Sequence, residues 1–400
     1  MLSVSEAQTV VLNHARSLPP GRSSVSVELL GQVLAENVAS DLDMPPFDKS
    51  LMDGFAVRSA DLPQGKATLS IIEEVTAGQT PQRALQTMQA TRIMTGAPIP
   101  VGADAVVMIE RTRLTADGRV EVEDKPPRPG QNIMTRGREM RRGETVLESG
   151  CVLRPQEFGI LASVGKTSVA VIPRPTVAIL TTGNEVVDAS RQPGPGQIRN
   201  GNGPMLHAQV ARAGGIPRSL GIAPDVAPKL RSMIEEGLQS NILVLSGGVS
   251  AGKLDLVPGV LEELGVQAHF HKVALKPGKP ILFGTWGTGT LVFGLPGNPV
   301  SALVGFELFV RPAIRRLAGH EKVGPFFVEA TLEEPFTYKT DRPTYYPAAL
   351  DAESRRVRPV PWFGSPDLRA LSRANAFLVI AAGEHQLPAG HVVSVMRTDD

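Results

Sequence analysis

The feature that most limits the fold is a regular alternation of strand-like and helical runs between Thr176 and about Gly319. Apolar runs such as VAILTTG and ILVLSGG are predicted strands, and each is followed by residues with helical spacing. Parallel strands need such crossover helices, so the alternation predicts a doubly wound α/β domain over 174–320. The predicted helices lie near 204–213, 226–238, 256–264 and 299–317, and further strands near 216–222, 267–274, 280–284 and 290–294.

The rest of the chain is divided into short pieces by many of its 40 glycines and 34 prolines. Residues 46–143 carry brief apolar runs between Gly-containing turns, a pattern typical of β-hairpins, and we predict an inserted β-rich lobe there. Residues 1–45 and 144–173 are predicted to form a linker domain, with helices near 4–16, after Ser26 and near 156–164. Residues 321–400 are predicted to form a small β-barrel-like domain.

Composition excludes several classes of function. The formal net charge is +1, so no overall electrostatic attraction to nucleic acid or to an anionic membrane is expected. With Cys151 as the single cysteine, neither a disulfide framework nor a Cys/His zinc site is expected. The chain also lacks an apolar run of about 18 residues, which argues against a membrane span and makes the cytoplasm the expected compartment.

Three loops follow predicted strands, where α/β domains bind ligands. Thr181 to Glu185 offers a carboxylate that Mg²⁺ can use, although the segment taken alone favours an ordinary Gly-Asn turn. The segment Ser246 to Gly252 is rich in glycine and can bring backbone N–H groups to a phosphate, but it matches neither the P-loop nor GxGxxG. Asp255 either binds a metal ion or caps the next helix, and Asp225 is first of all a helix N-cap.

In the third loop, Lys276 and Lys279 flank a tight turn between predicted strands, and a bound anion would offset the repulsion between them. A solvated pair on an exposed hairpin is the alternative. The nearby loop from Pro296 to Pro299 is explained by an Asn N-cap and a first-turn proline. His269 and His271 are spaced as two ligands would be, but we predict a structural role because no third ligand lies nearby.

Together these segments resemble the molybdopterin molybdenumtransferases, the MoeA and gephyrin E-domain family. The resemblance spans the whole chain. It rests on nine segments in family order: PPFDKSLMDGFAV, RIMTGAPIPVGADAVV, RPGQNI, TTGNE, GQI, SGGVSAGKLD, KVALKPGKP, GLPGNPVSA and SPDLRALSRANAFLVI.

The resemblance implies a multidomain protein with a central MogA-like α/β domain, a β-rich inserted N-terminal lobe and a small C-terminal β domain. It implies a homodimer that inserts molybdenum from molybdate into adenylylated molybdopterin, with Mg²⁺-assisted release of AMP. The upstream molybdopterin adenylyltransferase is the implied partner. The implied catalytic residues are Asp53, Thr95, Glu139, Glu185, Asp225, Asp255, Lys276 and Lys279.

For the metal, the resemblance implies the carboxylates of Glu185, Asp225 and Asp255 as ligands. The implied substrate-binding residues are Ser246, Gly247, Gly248, Ser250, Gly252, Pro296, Gly297, Asn298 and Pro299. Two other functions stay open: a molybdopterin adenylyltransferase, because the central domain type is shared, and a non-catalytic scaffold like gephyrin. The β lobe and tail domain argue against the first, and the retained acids and lysines argue against the second.

Overall fold

The structure is a computed structural model that describes residues 1–249 and 256–398. The chain divides into two compact units. The first comprises Met1–Ala35, Gly150–Leu153 and Ala170–Asp400, and the second comprises Glu36–Ser149 and Arg154–Val169. The domain boundaries given above stay predictions.

The elements are numbered here in chain order. The helices are α1 (Val4–His14), α2 (Pro155–Ser163), α3 (Asn202–Arg212), α4 (Ala227–Gly237), α5 (Leu256–Glu263), α6 (Pro299–Gly305), α7 (Arg311–Leu317) and α8 (Leu368–Leu371). Shorter helical segments are the 3-10 turns Val27–Leu29, Ser59–Asp61 and Ile109–Arg111 and the π-helical turn Phe306–Val310.

Strands of the first half are β1 (Gly21–Ser24), β2 (Val33–Leu34), β3 (Val38–Ala39), β4 (Lys49–Ser50), β5 (Gly54–Val57), β6 (Lys66–Val75), β7 (Gln89–Ile93), β8 (Ala105–Met108), β9 (Thr112–Leu114), β10 (Arg119–Glu123), β11 (Ile133–Met134), β12 (Thr145–Leu147), β13 (Ser168–Ile172), β14 (Thr176–Thr182), β15 (Val186–Val187) and β16 (Ile198–Arg199). Those of the second half are β17 (Ile216–Ala223), β18 (Ile242–Ser246), β19 (Gln267–Phe270), β20 (Leu282–Trp286), β21 (Thr290–Leu295), β22 (Phe327–Leu332), β23 (Phe336–Thr340), β24 (Thr344–Asp351), β25 (Arg356–Pro359), β26 (Ala376–Ile380), β27 (Gly383–Leu387) and β28 (Val392–Arg397).

The first unit is built around a six-stranded sheet of order β17-β14-β18-β21-β20-β19. Strands β17, β14, β18 and β21 run parallel, and β20 pairs antiparallel with both of its neighbours. The prediction of a doubly wound, mainly parallel sheet is therefore confirmed. The observed helices α3, α4 and α5 begin and end within about two residues of the predicted ones.

Both faces of this sheet are buried. Alternate residues of β14 and β18, such as Ile179 and Val244, pack on one side against α1, α3, α6 and α7. The intervening residues, such as Leu180 and Leu245, pack on the other side against α4 and α5. Strands covered on both faces are almost continuously apolar, and this explains why VAIL and ILVL carry no polar residue.

The N-terminal segment agrees with the sequence at one place and differs at another. Ser3 and Glu6 form the predicted capping box, since each side chain accepts from the backbone N–H of the other residue. The helix predicted after Ser26 is wrong: residues 27–29 make one 3-10 turn and β2 follows at Val33. The apolar spacing there reflects the pairing of β2 with β13 in a sheet of order β1-β13-β2.

The second unit contains the β-rich lobe, with a six-stranded sheet of order β8-β5-β7-β6-β10-β9. Its core is formed by buried side chains including Phe55, Leu69, Val107 and Val120. Helix α2 also belongs to this unit, and its bounds confirm the helix predicted near 156–164.

At the end of the first unit, β22-β25-β24-β26-β28 close into a barrel, and β23 pairs with β27 beside it. The predicted C-terminal β-barrel is thus confirmed. Within residues 1–249 and 256–398, no helix has the length and apolarity needed to cross a membrane.

A buried charge cluster ties α3 to the long helical segment that begins with α6. Glu307, in the π-helical turn, is 1% exposed and accepts hydrogen bonds from Gln209 Nε2 at 3.0 Å and Arg212 Nη2 at 2.7 Å. Its other carboxylate oxygen accepts from Arg311 Nη1 at 2.9 Å. Both helices begin at the sheet edge described below, so this cluster fixes two elements of that edge relative to each other.

We expect Glu307→Ala to lower the free energy of unfolding by about 3–5 kcal/mol, because it removes a buried carboxylate that accepts hydrogen bonds from Gln209, Arg212 and Arg311. The control is Glu235→Ala, which removes an exposed ion pair with Arg231 on α4 and is expected to cost less than about 1 kcal/mol. Denaturant unfolding of the full chain measures both. Equal losses in the two variants would contradict the role of the buried cluster.

Candidate active site

Four strand ends lie side by side at one edge of the central sheet. Thr182 of β14 pairs in register with Ala223 of β17, Thr181 with Ser246 of β18, and Ser246 with Leu295 of β21. The loops that follow these strands therefore leave the sheet at the same edge, where α/β proteins bind ligands.

The loop after β14 is held by a reciprocal pair of hydrogen bonds. Asn184 N donates to Asp225 Oδ2 at 3.1 Å, and Asp225 N donates to Asn184 Oδ1 at 3.0 Å. The prediction that Asp225 is a helix N-cap is wrong, because Val226 occupies the N-cap of α4. The Asp225 side chain bonds instead to the loop that carries Glu185, so two of the predicted acids belong to one pair of bonded loops.

Gly183 is required where the Glu185 carboxylate folds back on the chain. Its φ is +136°, and a Cβ at this position would lie 2.5 Å from Glu185 Oε2. Gly247 and Gly248 have φ values of +93° and +63°, and a Cβ on either would come within 2.8 Å of Thr182. Glycine at these positions allows the loops after β14 and β18 to approach each other closely.

Asn202, at the first turn of α3, joins two of the loops. Its Nδ2 donates to Ser246 Oγ at 2.9 Å and to Gly297 O at 2.7 Å. The Gly247 N–H donates to Leu295 O at 3.1 Å, so this group is already used and does not face an anion. Asn202 was not predicted as a site residue from the sequence.

These loops enclose a cleft of about 540 Å³ that we call the glycine cleft. Its lining includes Thr181, Glu185, Asn202, Ser246, Gly247 and Asn298. Most of these groups are neutral hydrogen-bonding groups, Glu185 adds an exposed carboxylate, and Arg199, which also lines the cleft, adds an exposed guanidinium.

A second cleft of about 580 Å³ lies next to it, and we call it the lysine cleft. Its lining includes Lys276, Lys279, Ser301, Arg342, Trp362 and Ser365. None of the described residues that line it is acidic, although Arg342 Nε lies 3.3 Å from Asp341 Oδ1 outside the lining, so Lys276 and Lys279 face a space with no carboxylate in its wall. Such a wall favours an anionic ligand.

The turn that carries the two lysines is attached to the C-terminal barrel. Lys276 N donates to Pro343 O, and Tyr345 N donates to Lys276 O, both at 2.8 Å. The predicted hairpin is present, since β19 and β20 pair antiparallel, but the predicted strand ends and tight turn are wrong: β19 ends at Phe270, β20 begins at Leu282, and the longer connection bonds to the barrel strand β24. Lys276 Nζ also lies 5.5 Å from the centre of the Tyr338 ring, a cation–π contact.

The two clefts share a wall. Asn298 lines both of them, and it is the N-cap of α6 with Pro299 at the first helical position, as predicted. Its side chain makes no capping hydrogen bond, however, within the part of the chain that the structure describes. On the other side, Val300 N donates to Ser365 O at 3.0 Å and holds the segment 362–368 against the same helix start.

Three predicted site residues lie in the second unit. The Asp53 carboxylate accepts from Thr95 N at 2.6 Å and from Thr95 Oγ1 at 2.8 Å. The bond from the backbone N–H of Thr95 has the larger effect and the bond from its hydroxyl the smaller one. Together they hold the pKa of Asp53 below its usual value and keep the carboxylate ionised. Glu139 lies 4.0 Å from Lys49 Nζ, a distance typical of a loose ion pair.

Ser250, Gly252 and Asp255 lie outside the described residues. Within the described ranges, no group of three or more His, Cys, Asp or Glu side chains is arranged to hold a metal ion. Glu185 and Asp225 are the predicted metal ligands that the structure describes.

The two histidines have structural partners, as expected. His269 Nε2 bonds with Thr285 Oγ1 at 2.9 Å, and His271 Nε2 with Val249 O at 2.6 Å.

Three residues of the lysine cleft were not predicted from the sequence: Ser301, Arg342 and Ser365. Arg342 stands just before β24, and only the pairing of that strand with the lysine turn brings it to the cleft.

Comparison with known proteins adds to this geometry. Residues 2–165 match the family described as MoeA N-terminal region (domain I and II), residues 178–316 the probable molybdopterin binding domain, and residues 329–397 the MoeA C-terminal region (domain IV). A molybdopterin molybdenumtransferase from Staphylococcus aureus is 34% identical, with 100% of this chain and 96% of the relative covered. A molybdopterin molybdenumtransferase from Staphylococcus epidermidis is also 34% identical, with 93% of this chain and 90% of the relative covered.

Two crystal structures of a molybdopterin biosynthesis MoeA protein from Pyrococcus horikoshii are similar along the whole chain. Both have a TM-score of 0.83, with identities of 32% and 29%. They cover 100% and 99% of this chain, and the match spans 100% of each solved chain.

We expect Thr95→Val to raise the pKa of Asp53 part of the way to its usual value, because one of two donors to the carboxylate is lost. Since a lowered carboxylate pKa stabilises the fold above that pKa and the effect is lost as the pH falls through it, the variant loses this stabilisation at a higher pH. NMR titration of the Asp53 carboxyl carbon measures the shift. Thr112→Val, whose hydroxyl donates only to Ile109 O, is the control and should leave the Asp53 pKa unchanged.

Proposed function

The chain belongs to the MoeA family of molybdopterin molybdenumtransferases, the enzymes that insert molybdenum into molybdopterin during cofactor synthesis, and from the two clefts we propose how it acts. The observation that carries the proposal is the lysine cleft, where Lys276, Lys279 and Arg342 face a space with no described acidic residue in its wall. We propose that this cleft binds molybdate, the substrate oxyanion.

The chemistry of the lining supports this assignment. Lysine and arginine donate charge-assisted hydrogen bonds to oxyanions, and such bonds are stronger than bonds between neutral groups. Ser301 is 3% exposed yet lines the cleft, and Ser365 adds a second hydroxyl. A tetrahedral dianion has four oxygens, so it can accept from several of these groups together.

We propose that the glycine cleft holds the phosphate bridge of adenylylated molybdopterin. Ser246 supplies a hydroxyl that Asn202 holds in place, Arg199 adds a cation to the lining, and the glycines allow a close backbone approach. The clefts adjoin at Asn298, so a substrate seated in one has its sulfurs within reach of the other.

Mg²⁺ is a hard cation that takes oxygen ligands and often uses one or two carboxylates plus substrate phosphates. Glu185 and Asp225 fit this pattern, because both are exposed carboxylates on loops that are bonded to each other. We propose that these two residues hold Mg²⁺, with Asp255 as a third ligand. The ion, when bound, supplies charge neutralisation at the phosphate bridge.

In the proposed reaction, water adds across the phosphate bridge, one phosphate stays on the pterin and the other leaves as AMP. The two thiol groups of the pterin bind the molybdenum of molybdate, and one oxo group leaves as water with the two thiol protons, so the oxidation state of molybdenum does not change. This agrees with a chain whose single cysteine is Cys151, because the soft ligands come from the substrate. Asp53, Thr95 and Glu139 stay predicted site residues. For Asp53, the support is the pair of donors that keeps it ionised.

The remaining expectations are proposals of the same kind: a homodimer, a cytoplasmic location and transfer of substrate from the upstream adenylyltransferase. They rest on the family resemblance. An adenylylated pterin dithiolene is a reactive substrate, and direct transfer between enzymes would protect it.

The test of the function is a defined reaction. Purified protein with adenylylated molybdopterin, molybdate and Mg²⁺ is expected to release AMP together with molybdenum-loaded pterin, and both products are quantified by chromatography. A reaction without molybdate is the control, because it measures how much AMP is released when no molybdenum can be inserted. If ATP and molybdopterin alone give pyrophosphate and adenylylated pterin, the chain is the adenylyltransferase instead. No turnover in either mixture would favour the scaffold.

We expect Lys276→Met and Lys279→Met each to raise the molybdate concentration for half-maximal AMP release by roughly ten- to a hundredfold, the effect of losing a hydrogen bond to a charged group. Lys272→Met is the matched control, because Lys272 is exposed on the same segment and does not line the cleft. Steady-state rates across a molybdate series measure all three. An unchanged molybdate dependence in both cleft variants would exclude this cleft as the oxyanion site.

A further inference from the structure

One wall of the lysine cleft is aromatic and comes from the C-terminal part of the chain. Tyr338 of β23, Tyr346 of β24 and Trp362 line the cleft together, and we call them the aromatic wall. Tyr346 stands between the other two, with ring centres 5.3 Å from Tyr338 and 5.6 Å from Trp362, and both contacts are edge-to-face. Burial is the main cause of a raised pKa at Tyr346, and the nearby Tyr338 adds to it, so the phenol of Tyr346 stays neutral at ordinary pH.

An oxyanion does not account for this wall. A molybdate ion needs only the cationic side, whereas a cleft of about 580 Å³ is in the range of about 300–1,000 Å³ that proteins use for organic ligands. Aromatic side chains contribute little to the binding of a small hydrated dianion. They bind flat ring systems well, because stacked rings gain dispersion and quadrupole interactions.

The cations and the rings are held together. Lys276 Nζ lies 5.5 Å from the Tyr338 ring centre, and the backbone of Lys276 is bonded to that of Tyr345, next to Tyr346. The side of the cleft that attracts negative charge is thus fixed against the aromatic side, where the Tyr338 ring is already stacked on Phe336 with ring centres 5.8 Å apart and Trp362 adds the largest ring. A ligand that carries both a planar ring and an anionic group matches this pairing.

We propose that the aromatic wall binds the planar heteroaromatic ring of the substrate by stacking, with Trp362 as the main contact. This inference rests on the proposed function, since the adenylylated substrate carries two such rings, a pterin and a purine. The wall would orient the substrate so that its sulfurs meet the oxyanion held by the lysines. Trp362 is then a residue that determines specificity.

The chain has only two tryptophans, Trp286 and Trp362, and this allows a direct test. Trp286 lies at the end of β20, where its Nε1 donates to Leu264 O, and it does not line the cleft. Full-length protein labelled with 5-fluorotryptophan gives one ¹⁹F resonance for each tryptophan, assigned with Trp286→Phe and Trp362→Phe. AMP, pterin-6-carboxylate and molybdate are titrated separately.

We expect the Trp362 resonance to shift with AMP or with the pterin, while the Trp286 resonance stays in place. The ligand that shifts the Trp362 resonance shows whether the purine or the pterin of the substrate stacks on this wall. If neither ring ligand moves the resonance, or if molybdate alone moves it equally, the proposal is overturned.

Kinetics of the full reaction give a second, independent test. Trp362→Leu is expected to raise KM for the adenylylated substrate by about tenfold or more, the range for loss of one stacked ring, without changing the molybdate dependence. Trp362→Phe should restore most of the affinity. The matched control is Phe363→Leu, because Phe363 is the next residue, is 97% exposed and lies outside the cleft lining.

The outcomes separate this inference from the function itself. A wild-type protein that releases no AMP but still shows the ring-dependent Trp362 shift would refute the proposed function and leave the aromatic wall as a ring site. AMP release with the expected lysine effects, but an unchanged KM in Trp362→Leu, would overturn the aromatic wall alone. Thermal unfolding checks that each variant is folded, and if Trp362→Leu is not, the ¹⁹F titration of the wild type decides.

Discussion

The arrangement of the site depends on the burial of both faces of the central sheet. Helices α1, α3, α6 and α7 cover one face and α4 and α5 the other, so neither face is free to bind a ligand. Only the strand ends remain, and the parallel register brings four of them to one edge. The polar residues at and beyond the ends of β14, β18 and β21 are therefore close in space, because parallel strands bring their carboxyl ends to the same edge.

Close contact between loops then decides which residues are tolerated at the edge. Gly247 and Gly248 lie against Thr182 so closely that a Cβ would overlap it, and their positive φ values also disfavour other residues. The glycines that suggested a phosphate cradle thus have a structural reason of their own, and the N–H of Gly247 is used within the protein. Side chains such as Asn202 and Glu185, rather than the glycine loop alone, give the cleft its chemistry.

Local patterns predicted the elements well, and residues distant in sequence account for the errors. The capping box of α1 and the bounds of α3 to α5 depend on neighbouring residues, and these were predictable. The helix predicted after Ser26 is wrong because the pairing of β2 with β13 outweighs the local preference. The N-cap predicted at Asp225 is wrong because its side chain bonds to Asn184 instead. Arg342 and Trp362 reach the lysine cleft only through the fold of the C-terminal barrel, for which no short motif exists.

The absence of acidic residues from the described lining of the lysine cleft has a physical reason. Carboxylates placed beside Lys276 and Lys279 would form ion pairs with them, as Asp341 does with Arg342 at 3.3 Å, and would leave less attraction for an oxyanion, since paired charges are already compensated. In this chain the acids that suit a divalent cation, Glu185 and Asp225, stand on the loops after β14 and β17, while the lysines lie on a turn bonded to the barrel. Asn298, a neutral amide, forms the boundary between the clefts. Such a neutral boundary keeps the acids of the β14 and β17 loops away from the two lysines, so an oxyanion at Lys276 and Lys279 meets charge that no described lining carboxylate offsets.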